Sequence, residues 1–371
     1  MTPIPTPPAV ALVDRLLRTA KERGASDLHL DPSEDGVRVR IRKDGVLHDL
    51  ETVESELHGH LVGRFKALAD LLVYRSEVPQ EGRIAAAKSA TGHDVRVATF
   101  PTMFGERVAI RLDAAPATLG RLEDLGFDGS TWKALRDAVE QPDGVVLVTG
   151  PSGSGKTTTL YACVRHIAHS TRPRSVVTVE DPIEKRVPGV VQTQIAPASG
   201  LDFARALRSL LRQDPEVLLV GEIRDRETAH IALEAGLTGH LVASSIHAGT
   251  APLVFARLIE LGVEPFVITS SVRGVLAQRL VRGVCQNTKC LQLGDECPDC
   301  HGTGYAGRVP IAEWVPMTAD LRKAILARGD GEDLTAAATA AGAKSLNEAA
   351  DVAISSRKTT REEVRRVLGT H

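Results

Sequence analysis

Aromatic side chains, excess charge and long apolar runs are all scarce in this sequence of 371 residues. Aromatic residues make up only 3 % of the chain, so its cores must be built mainly from Val, Leu, Ile and Ala. A formal net charge of −2 gives no bulk attraction to nucleic acid or anionic lipid. No apolar run approaches the roughly 20 residues of a membrane-spanning helix, and the Pro-rich start lacks the features of a signal peptide. We therefore expect a cytoplasmic globular protein that would reach a membrane only through a partner.

A glycine-rich stretch, GVVLVTGPSGSGKTT at residues 144–158, is the strongest motif in the chain. Its apolar first half predicts a strand buried on both faces, and residues 150–157 fit the phosphate-loop pattern G-x-x-x-x-G-K-[ST]. The helix predicted over residues 156–168 would offer its positive amino end to the same anion. Lys156 would contact the β- and γ-phosphates, and the Thr157 hydroxyl would bind Mg²⁺. The predicted nucleotide-binding residues are Gly150, Ser152, Gly153, Ser154, Gly155, Lys156, Thr157 and Thr158.

Three more apolar runs follow the phosphate loop, at residues 175–179, 216–220 and 241–246, and helical patterns separate them. This alternation is typical of a parallel sheet covered by helices on both faces. Ligands bind at the carboxyl ends of the strands in such a sheet. Polar side chains that follow these runs are therefore candidates for catalysis.

Two glutamates stand at such positions. Glu180 comes directly after the run at 175–179, and Glu222 follows the run at 216–220, in the arrangement of a Walker B acid. Either carboxylate could orient an attacking water or a metal-bound water, and the sequence does not choose between them. For Glu180, an acidic turn with a purely structural role is an equally good interpretation.

Two histidines and two arginines are further candidates. His240 and His247 bracket the run at 241–246, and a histidine at the end of a nucleotide-site strand can sense the γ-phosphate, although a structural role is more frequent. Arg208 and Arg212 lie four residues apart on a predicted helix, so they share one face. That face could be merely solvated, or it could contact phosphate or a neighbouring subunit.

Residues 10–112 predict a separate α+β domain, which starts with a helix from about residue 9 to residue 23. Short alternating strands and a second helix near residues 57–72 follow. Arg83 and Arg96 lie on short strands, and without an acidic neighbour in the local sequence they would be classed as surface charge. We expect residues 1–9 to be a disordered tail and the Pro-interrupted residues 113–120 to be a linker to a domain at 121–284.

Four of the five cysteines, Cys285, Cys290, Cys297 and Cys300, cluster in a turn-rich stretch. In a reducing compartment this pattern favours tetrahedral Zn²⁺ over disulfides, with His301 as a possible substitute ligand and metal-free thiols as the alternative. We place a zinc-binding insertion at 285–309 and a C-terminal helical domain at 310–371. Its helices are predicted over residues 318–327, 334–341, 345–355 and 360–368.

The motifs GPSGSGKTTTLY, VTVEDPIE, LRQDPEVLLVGEIRD and TGHLVASSIHA, in this order and spacing, resemble the hexameric ATPases of type II secretion and type IV pilus assembly. The stretches GASDLHLDP, QEGRI, DVRVATFPTMFGERVAIRL and LAQRL resemble the same family, so the resemblance covers about residues 10–315. It implies an α/β fold, with a RecA-like P-loop NTPase core behind a PAS-like domain, a four-cysteine zinc subdomain and C-terminal helices. It also implies a homohexameric ring and the cofactors ATP, Mg²⁺ and structural Zn²⁺. The cysteine cluster is typical of assembly ATPases rather than retraction ATPases.

Matching positions in this family assign Glu180 to its acidic box and Glu222 to its Walker B motif, while His240 and His247 flank its His box. The resemblance also places four arginines where the same or an adjacent subunit approaches the nucleotide: Arg83, Arg96, Arg208 and Arg212. An arginine delivered by domain closure would stabilise the charge that develops on the transferred phosphoryl group. Closing and opening would then move a platform protein of the inner membrane, with which the ring would associate peripherally.

We therefore predict an ATPase that couples ATP hydrolysis to type II protein secretion or to the assembly of a type IV pilus or pseudopilus. A DNA-uptake (competence) pilus motor is an alternative, because such systems use similar motors. A nucleotide-gated scaffold without appreciable turnover is another. A motor acting on nucleic acid is disfavoured by the balanced charge and by the lack of basic runs interleaved with aromatic residues.

Overall fold

The computed structural model describes residues 8–112 and 120–369, and the chain divides into two compact units, Met1–Ala117 and Thr118–His371. Residues 1–7 of the predicted tail and residues 113–119 of the predicted linker lie outside the described residues. Residues 8 and 9 begin the first helix, so the predicted tail is too long by two residues. In the described part of the chain, no helix combines the length and the apolar character needed to cross a bilayer.

The first unit is an antiparallel sheet of six strands with two helices packed against it, in the strand order β3-β2-β1-β6-β5-β4. Its elements are α1 (Pro8–Glu22), β1 (Asp27–Ser33), β2 (Gly36–Lys43), β3 (Val46–Val53), α2 (His58–Leu68), β4 (Gln80–Ile84), β5 (Val95–Thr102) and β6 (Gly105–Leu112).

Alternating side chains give this sheet one apolar face. In β2, Val37, Val39 and Ile41 are buried in one cluster with Leu16 of α1 and Phe65 of α2. The arginines between them point to the opposite face, because successive side chains on a strand alternate sides. The arginines of β2 therefore lie on the outer face of the sheet.

The second unit contains a sheet of seven strands in the order β13-β12-β7-β11-β10-β8-β9. Its strands are β7 (Gly144–Thr149), β8 (Val176–Glu180), β9 (Val191–Gln194), β10 (Val217–Ile223), β11 (Leu241–Ile246), β12 (Val272–Val284) and β13 (Tyr305–Pro316). Its helices are α3 (Gly129–Val139), α4 (Lys156–Ala168), α5 (Phe203–Leu210), α6 (Arg226–Leu237), α7 (Ala251–Glu260), α8 (Pro265–Ser271), α9 (Cys290–Leu293), α10 (Ala319–Leu326), α11 (Gly331–Ala340), α12 (Leu346–Ser355) and α13 (Arg361–Leu368).

Both faces of this sheet are covered. All six residues of β7 are buried. Val145 and Leu147 join one hydrophobic cluster, while Val146 and Val148 join another, so alternate side chains pack on opposite sides. Every neighbouring pair of strands is parallel except β12 and β13. The predicted α/β fold class is confirmed.

The sequence analysis did not predict β12 and β13, which form a long antiparallel hairpin with the cysteine stretch between them. Because β13 continues to Pro316, residues 310–316 belong to the sheet and not to a helical domain. Leu321 of α10, Leu334 of α11 and Val364 of α13 lie in the same hydrophobic cluster as Val275 of β12. The C-terminal helices thus share the core of the sheet and do not form a core of their own.

Candidate functional site

The phosphate loop follows β7 at the carboxyl edge of the parallel sheet, as the strand order requires. Gly150 and Gly155 have φ angles of 150° and 93°, a region that side chains with a Cβ rarely adopt. These two glycines let the chain curl between Thr149 and the first turn of α4. The loop is thereby placed where the amino end of a helix and an inner strand converge.

Lys156 begins α4 and turns back over the loop. Its Nζ donates hydrogen bonds to the carbonyl oxygens of Gly150 at 2.8 Å and Pro151 at 3.0 Å. Burial lowers the pKa of Lys156, and the nearby carboxylate of Glu222 opposes that shift. An ammonium held by two backbone carbonyls can exchange them for the oxygens of a phosphate, which are stronger acceptors.

The other predicted loop residues differ in exposure. Ser152, Gly153, Thr157 and Thr158 are exposed, whereas Ser154 is buried. The Oγ of Ser154 has no hydrogen-bond partner among the described residues. Thr157 at the first turn of α4 has an accessible hydroxyl, as a ligand of a metal ion requires.

Glu222 lies near the carboxyl end of β10, with 18 % of its side chain exposed. One carboxylate oxygen pairs with Arg224, and the other lies 3.6 Å from Nε2 of His247. β10 runs parallel to β11, and β11 runs parallel to β7, so Glu222 lies at the same edge of the sheet as the phosphate loop that follows β7. The structure therefore brings Glu222, His247 and the phosphate loop to one edge of the sheet.

Glu180 ends β8 on the same edge but is buried, with 3 % of its surface exposed. One oxygen accepts from the Tyr161 hydroxyl, and the other from Thr178 Oγ1 at 2.5 Å and Gln192 Nε2 at 3.0 Å. Burial, followed by the hydrogen bond to Glu180, raises the pKa of Tyr161. The buried carboxylate thus accepts three hydrogen bonds from side chains of the protein.

The position of Gly221 explains why the residue before Glu222 lacks a side chain. A Cβ there would lie 3.3 Å from the carbonyl oxygen of Val179 and 3.4 Å from Cα of Glu180. Glycine therefore allows β10 to lie close to the end of β8. The two glutamates are brought to neighbouring strand ends as a result.

His240 does not join this site, so its predicted role is wrong within the chain. It precedes β11, whose first residue pairs with the first residue of β7, at the amino edge of the sheet. Its Nδ1 lies 3.2 Å from the carbonyl oxygen of Ala235, at the end of α6. Six residues of extended strand, about 20 Å, separate this edge from the phosphate loop.

Arg208 and Arg212 do not share a helix face as predicted, because α5 ends at Leu210. Arg208 pairs with Glu227, while Nη1 of Arg212 donates to the carbonyl oxygen of Arg208 at 2.8 Å. Both arginines are on the surface of the second unit.

Arg83 and Arg96 lie directly opposite each other on β4 and β5 of the first unit, and both are exposed. In the fold, Arg83 has an acidic partner, because it pairs with Asp94. These residues are eleven positions apart, and the β4–β5 pairing brings them together. Both arginines occupy the outer face of the sheet.

Arg279 of β12 is a site residue that the sequence analysis missed. Its guanidinium donates to the carbonyl oxygens of Gln278 at 3.0 Å and Gly249 at 2.7 Å, and it contributes to the lowered pKa of Lys156. It thereby ties the loop after β11 to β12, across the end of β7. The available signal was its place in the LAQRL stretch, but only the pairing of β12 with β7 brings it to the site.

Four cysteine sulfurs meet between β12 and β13. The Sγ atoms of Cys285, Cys290, Cys297 and Cys300 all lie within 4.8 Å of one another, and this group does not include His301. Cys285 and Cys297 are 3.9 Å apart, and Cys290 and Cys300 are 3.3 Å apart. Four thiolates on a tetrahedral zinc ion, with bonds of about 2.3 Å, have sulfurs about 3.8 Å apart. The donor set and spacing fit a zinc ion.

A glycine-rich loop between an inner strand of a parallel sheet and a helix, with a lysine at the helix start and an acid on a nearby strand end, defines a P-loop nucleoside-triphosphate hydrolase. The sequence profile of the family described as Type II/IV secretion system protein matches residues 6–366. The chain belongs to this family of secretion ATPases, and the prediction of an ATP hydrolase is confirmed.

Two relatives show the breadth of the family. The chain is 43 % identical over 364 residues to the type II secretion system protein HxcR of Pseudomonas aeruginosa, covering 97 % of this chain and 77 % of HxcR. It is 38 % identical over 363 residues to the type IV pilus assembly ATPase PilB of Thermus thermophilus, covering 92 % of this chain and 41 % of PilB. The chain thus spans less than half the length of the second relative.

The fold is also similar to a solved structure. The X-ray structure of the Legionella pneumophila ATPase DotB superposes with a TM-score of 0.71 and covers 99 % of this chain and 97 % of its own. The two are 22 % identical, so this similarity supports the fold alone.

Proposed function

We propose that the protein is the motor of a type II secretion system or of a related type IV pilus assembly system, and that it binds ATP with Mg²⁺. The names of HxcR and PilB support these two processes. The observation that carries the proposal is that Lys156, which begins the helix after β7, and Glu222, near the end of β10, lie at the same carboxyl edge of the parallel sheet. Lys156 would hold the β- and γ-phosphates, and Thr157 would bind the metal ion, which neutralises charge on the phosphates.

Glu222 is our candidate for the group that acts on the attacking or metal-bound water. It is partly exposed and lies at the same strand edge as Lys156. Glu180 is buried, and its two oxygens already accept hydrogen bonds from Tyr161, Thr178 and Gln192. Its role is therefore to fix the end of β8, next to Gly221.

The ring, the partner and the zinc ion belong to the same proposal. A homohexamer would let Arg208 and Arg212, which lie on the surface, approach a nucleotide of a neighbouring subunit. Arg83 and Arg96 of the first unit would contribute in the same manner on domain closure. The cysteine cluster would hold a structural zinc ion, and a platform protein of the inner membrane would receive the motion.

Phosphate release measured on wild type, Glu222→Gln and Glu260→Gln tests the catalytic assignment. Removing the charge at residue 222 should lower turnover by about 10² or more, because catalysis of phosphoryl transfer depends on positioned charge. Glu260→Gln is the matched control, since its carboxylate is exposed on α7 and pairs only locally with Arg257. Turnover of Glu222→Gln at the wild-type rate would show that this residue is not the catalytic acid.

Size measurement with and without a non-hydrolysable ATP analogue tests the ring. A hexamer that forms or tightens with the analogue supports the motor. Nucleotide binding without phosphate release by assembled rings would instead identify a scaffold, and salt-sensitive DNA binding would favour a motor on nucleic acid.

A further inference from the structure

Gln278 lies at the point where β12 passes the phosphate loop. Ala277 pairs with Thr149, the last residue of β7, so Gln278 comes one residue beyond this register, opposite Gly150. Its side chain is buried, with 2 % of the residue exposed. A buried amide must find partners for both its donor and its acceptor.

Both ends of this amide bind the phosphate-loop region. Nε2 donates to the carbonyl oxygen of Ser154 at 2.6 Å, and Oε1 accepts from Thr159 Oγ1, in the first turn of α4, at 2.9 Å. One side chain thus joins the loop backbone to the helix that follows. The lysine that grips the phosphates, Lys156, lies between these two attachment points in the sequence.

Two of the three glycines of the loop, Gly150 and Gly155, pack closely against Gln278. A Cβ on Gly155 would lie 2.9 Å from Nε2 of Gln278, and a Cβ on Gly150 would lie 2.5 Å from its backbone oxygen. These contacts are closer than ordinary van der Waals separation. The loop therefore packs on this residue at its beginning and at its end.

We propose that Gln278 is a positioning residue that holds the phosphate loop and the first turn of α4 in the shape that accepts a nucleoside triphosphate. The inference rests on the proposed function, because it concerns the same nucleotide. The Ser154 carbonyl and the Gly155 N–H belong to one planar peptide group, so fixing the carbonyl also orients that N–H. Preorganised N–H groups and a fixed Lys156 give a loop its affinity for phosphate, since less order must be created on binding.

The test is titration of the full chain with a fluorescent ATP analogue in the presence of Mg²⁺, together with thermal unfolding without nucleotide. Gln278→Leu removes both bonds, and Gln278→Glu keeps the acceptor for Thr159 but loses the donor to Ser154. Both variants should bind the analogue at least tenfold more weakly. Thr159→Val removes one bond and should have a smaller effect, while Thr159→Ser, which keeps the hydroxyl, should restore wild-type affinity.

Val281→Ala is the matched control, because Val281 is fully buried on the same strand and lies outside the loop. It should lower the unfolding temperature and leave the affinity unchanged. Wild-type affinity in Gln278→Leu, beside a lowered unfolding temperature, would reduce Gln278 to a structural residue and overturn the inference. A wild-type chain that binds no analogue would instead overturn the proposed function itself, so the two failures can be told apart.

Discussion

The two sheets of this protein handle polar side chains in opposite ways. In the first unit one face of an antiparallel sheet is open, and charges are spread over it, as in the pairs of Asp31 with Arg40 and Arg107. In the second unit both faces are buried, and the charged side chains of β8 and β10, Glu180 and Glu222, lie at or near the carboxyl ends of these strands. A sheet of the second kind concentrates reactive groups at an edge that its topology selects. On the open face of a sheet of the first kind, charged residues with a function and ordinary surface charges occupy similar positions.

The strongest test of this comparison removes Lys156, the lysine at the carboxyl edge of the second unit's sheet. Lys156→Ala should lower ATP hydrolysis on the order of 10²–10³-fold, because it deletes a charge positioned on the transferred phosphoryl group. Lys88→Ala is the counterpart in the first unit, where the exposed lysine pairs with Asp70, and it should keep wild-type turnover in the phosphate-release assay. Equal losses of ATP hydrolysis in the two variants would contradict the distinction between the carboxyl edge of the second unit's sheet and the first unit.

A second prediction concerns the hairpin of the second unit. Cys297→Ser should abolish binding of about one zinc ion per chain, measured by elemental analysis, and should lower the unfolding temperature, because metal binding is coupled to folding. Cys163→Ser is the control, since this buried cysteine lies on α4 away from the cluster, and it should retain the metal. Zinc retained in full by Cys297→Ser would exclude the four-cysteine site.

A third prediction concerns a buried charge that lies away from the nucleotide edge. Glu363 is fully buried in side chain and accepts from Arg282 and Arg366. Burial alone would raise the pKa of Glu363, but hydrogen bonds from Arg366 and Arg282 lower it to about 2. A depressed carboxyl pKa stabilises the fold above the unfolded pKa of 4.5, and this contribution is lost as the pH falls towards 2.

Glu363→Gln should therefore cost about 3 kcal/mol in the free energy of unfolding at neutral pH and should flatten its dependence between about pH 4.5 and 2. Denaturant unfolding at several pH values measures both effects. Glu362→Gln, at the neighbouring exposed position, should change neither quantity to the same extent. An unchanged pH profile in Glu363→Gln would refute the linkage.

The smallest expected change in stability is on the open face. Arg96→Gln should leave the unfolding temperature unaltered, because the side chain is exposed. Its turnover should nevertheless fall about tenfold or more if it reaches the nucleotide on domain closure. Arg38→Gln, exposed on the same sheet, should alter neither measurement. Wild-type turnover in Arg96→Gln would show that this arginine is an ordinary surface charge with no part in ATP hydrolysis.

The sequence predicted the second unit better than the first for a physical reason. Apolar runs such as residues 145–148 and 241–246 are fully buried strands. A glycine-rich loop of this pattern between a strand and a helix has few interpretations other than a phosphate loop. β12 escaped prediction because its sequence, VRGVLAQRLVRGV, has no strict alternation, and its burial comes from pairing with β7 and β13. The contacts of Arg279 with the site depend on the same pairing, so the sequence did not predict them either.

Other failures came from distance and direction. The pairing of Arg83 with Asp94 needs two strands to meet, which local sequence does not specify. His240 and His247 flank the two ends of β11, so they lie at opposite edges of the sheet. A residue that precedes a parallel strand lies at the amino edge of the sheet. The direction of β11 alone would therefore have excluded His240 from the nucleotide site. Arg212 was misplaced because the end of α5, at Leu210, has no sequence signal such as a glycine after it.

The hairpin of β12 and β13 has a mechanical consequence. From Gln278 to Val284, β12 continues past the last residue of β7 by seven residues, or about 23 Å at about 3.3 Å each. Its far end is braced by Arg282, which contacts Glu363, and by Thr359 Oγ1, which donates to the carbonyl oxygen of Arg282 at 2.8 Å. Because this arm starts beside the phosphate loop, it would act as a lever if its base tilted. A tilt of about 5° at the base would carry the sulfur-rich tip through about 2 Å.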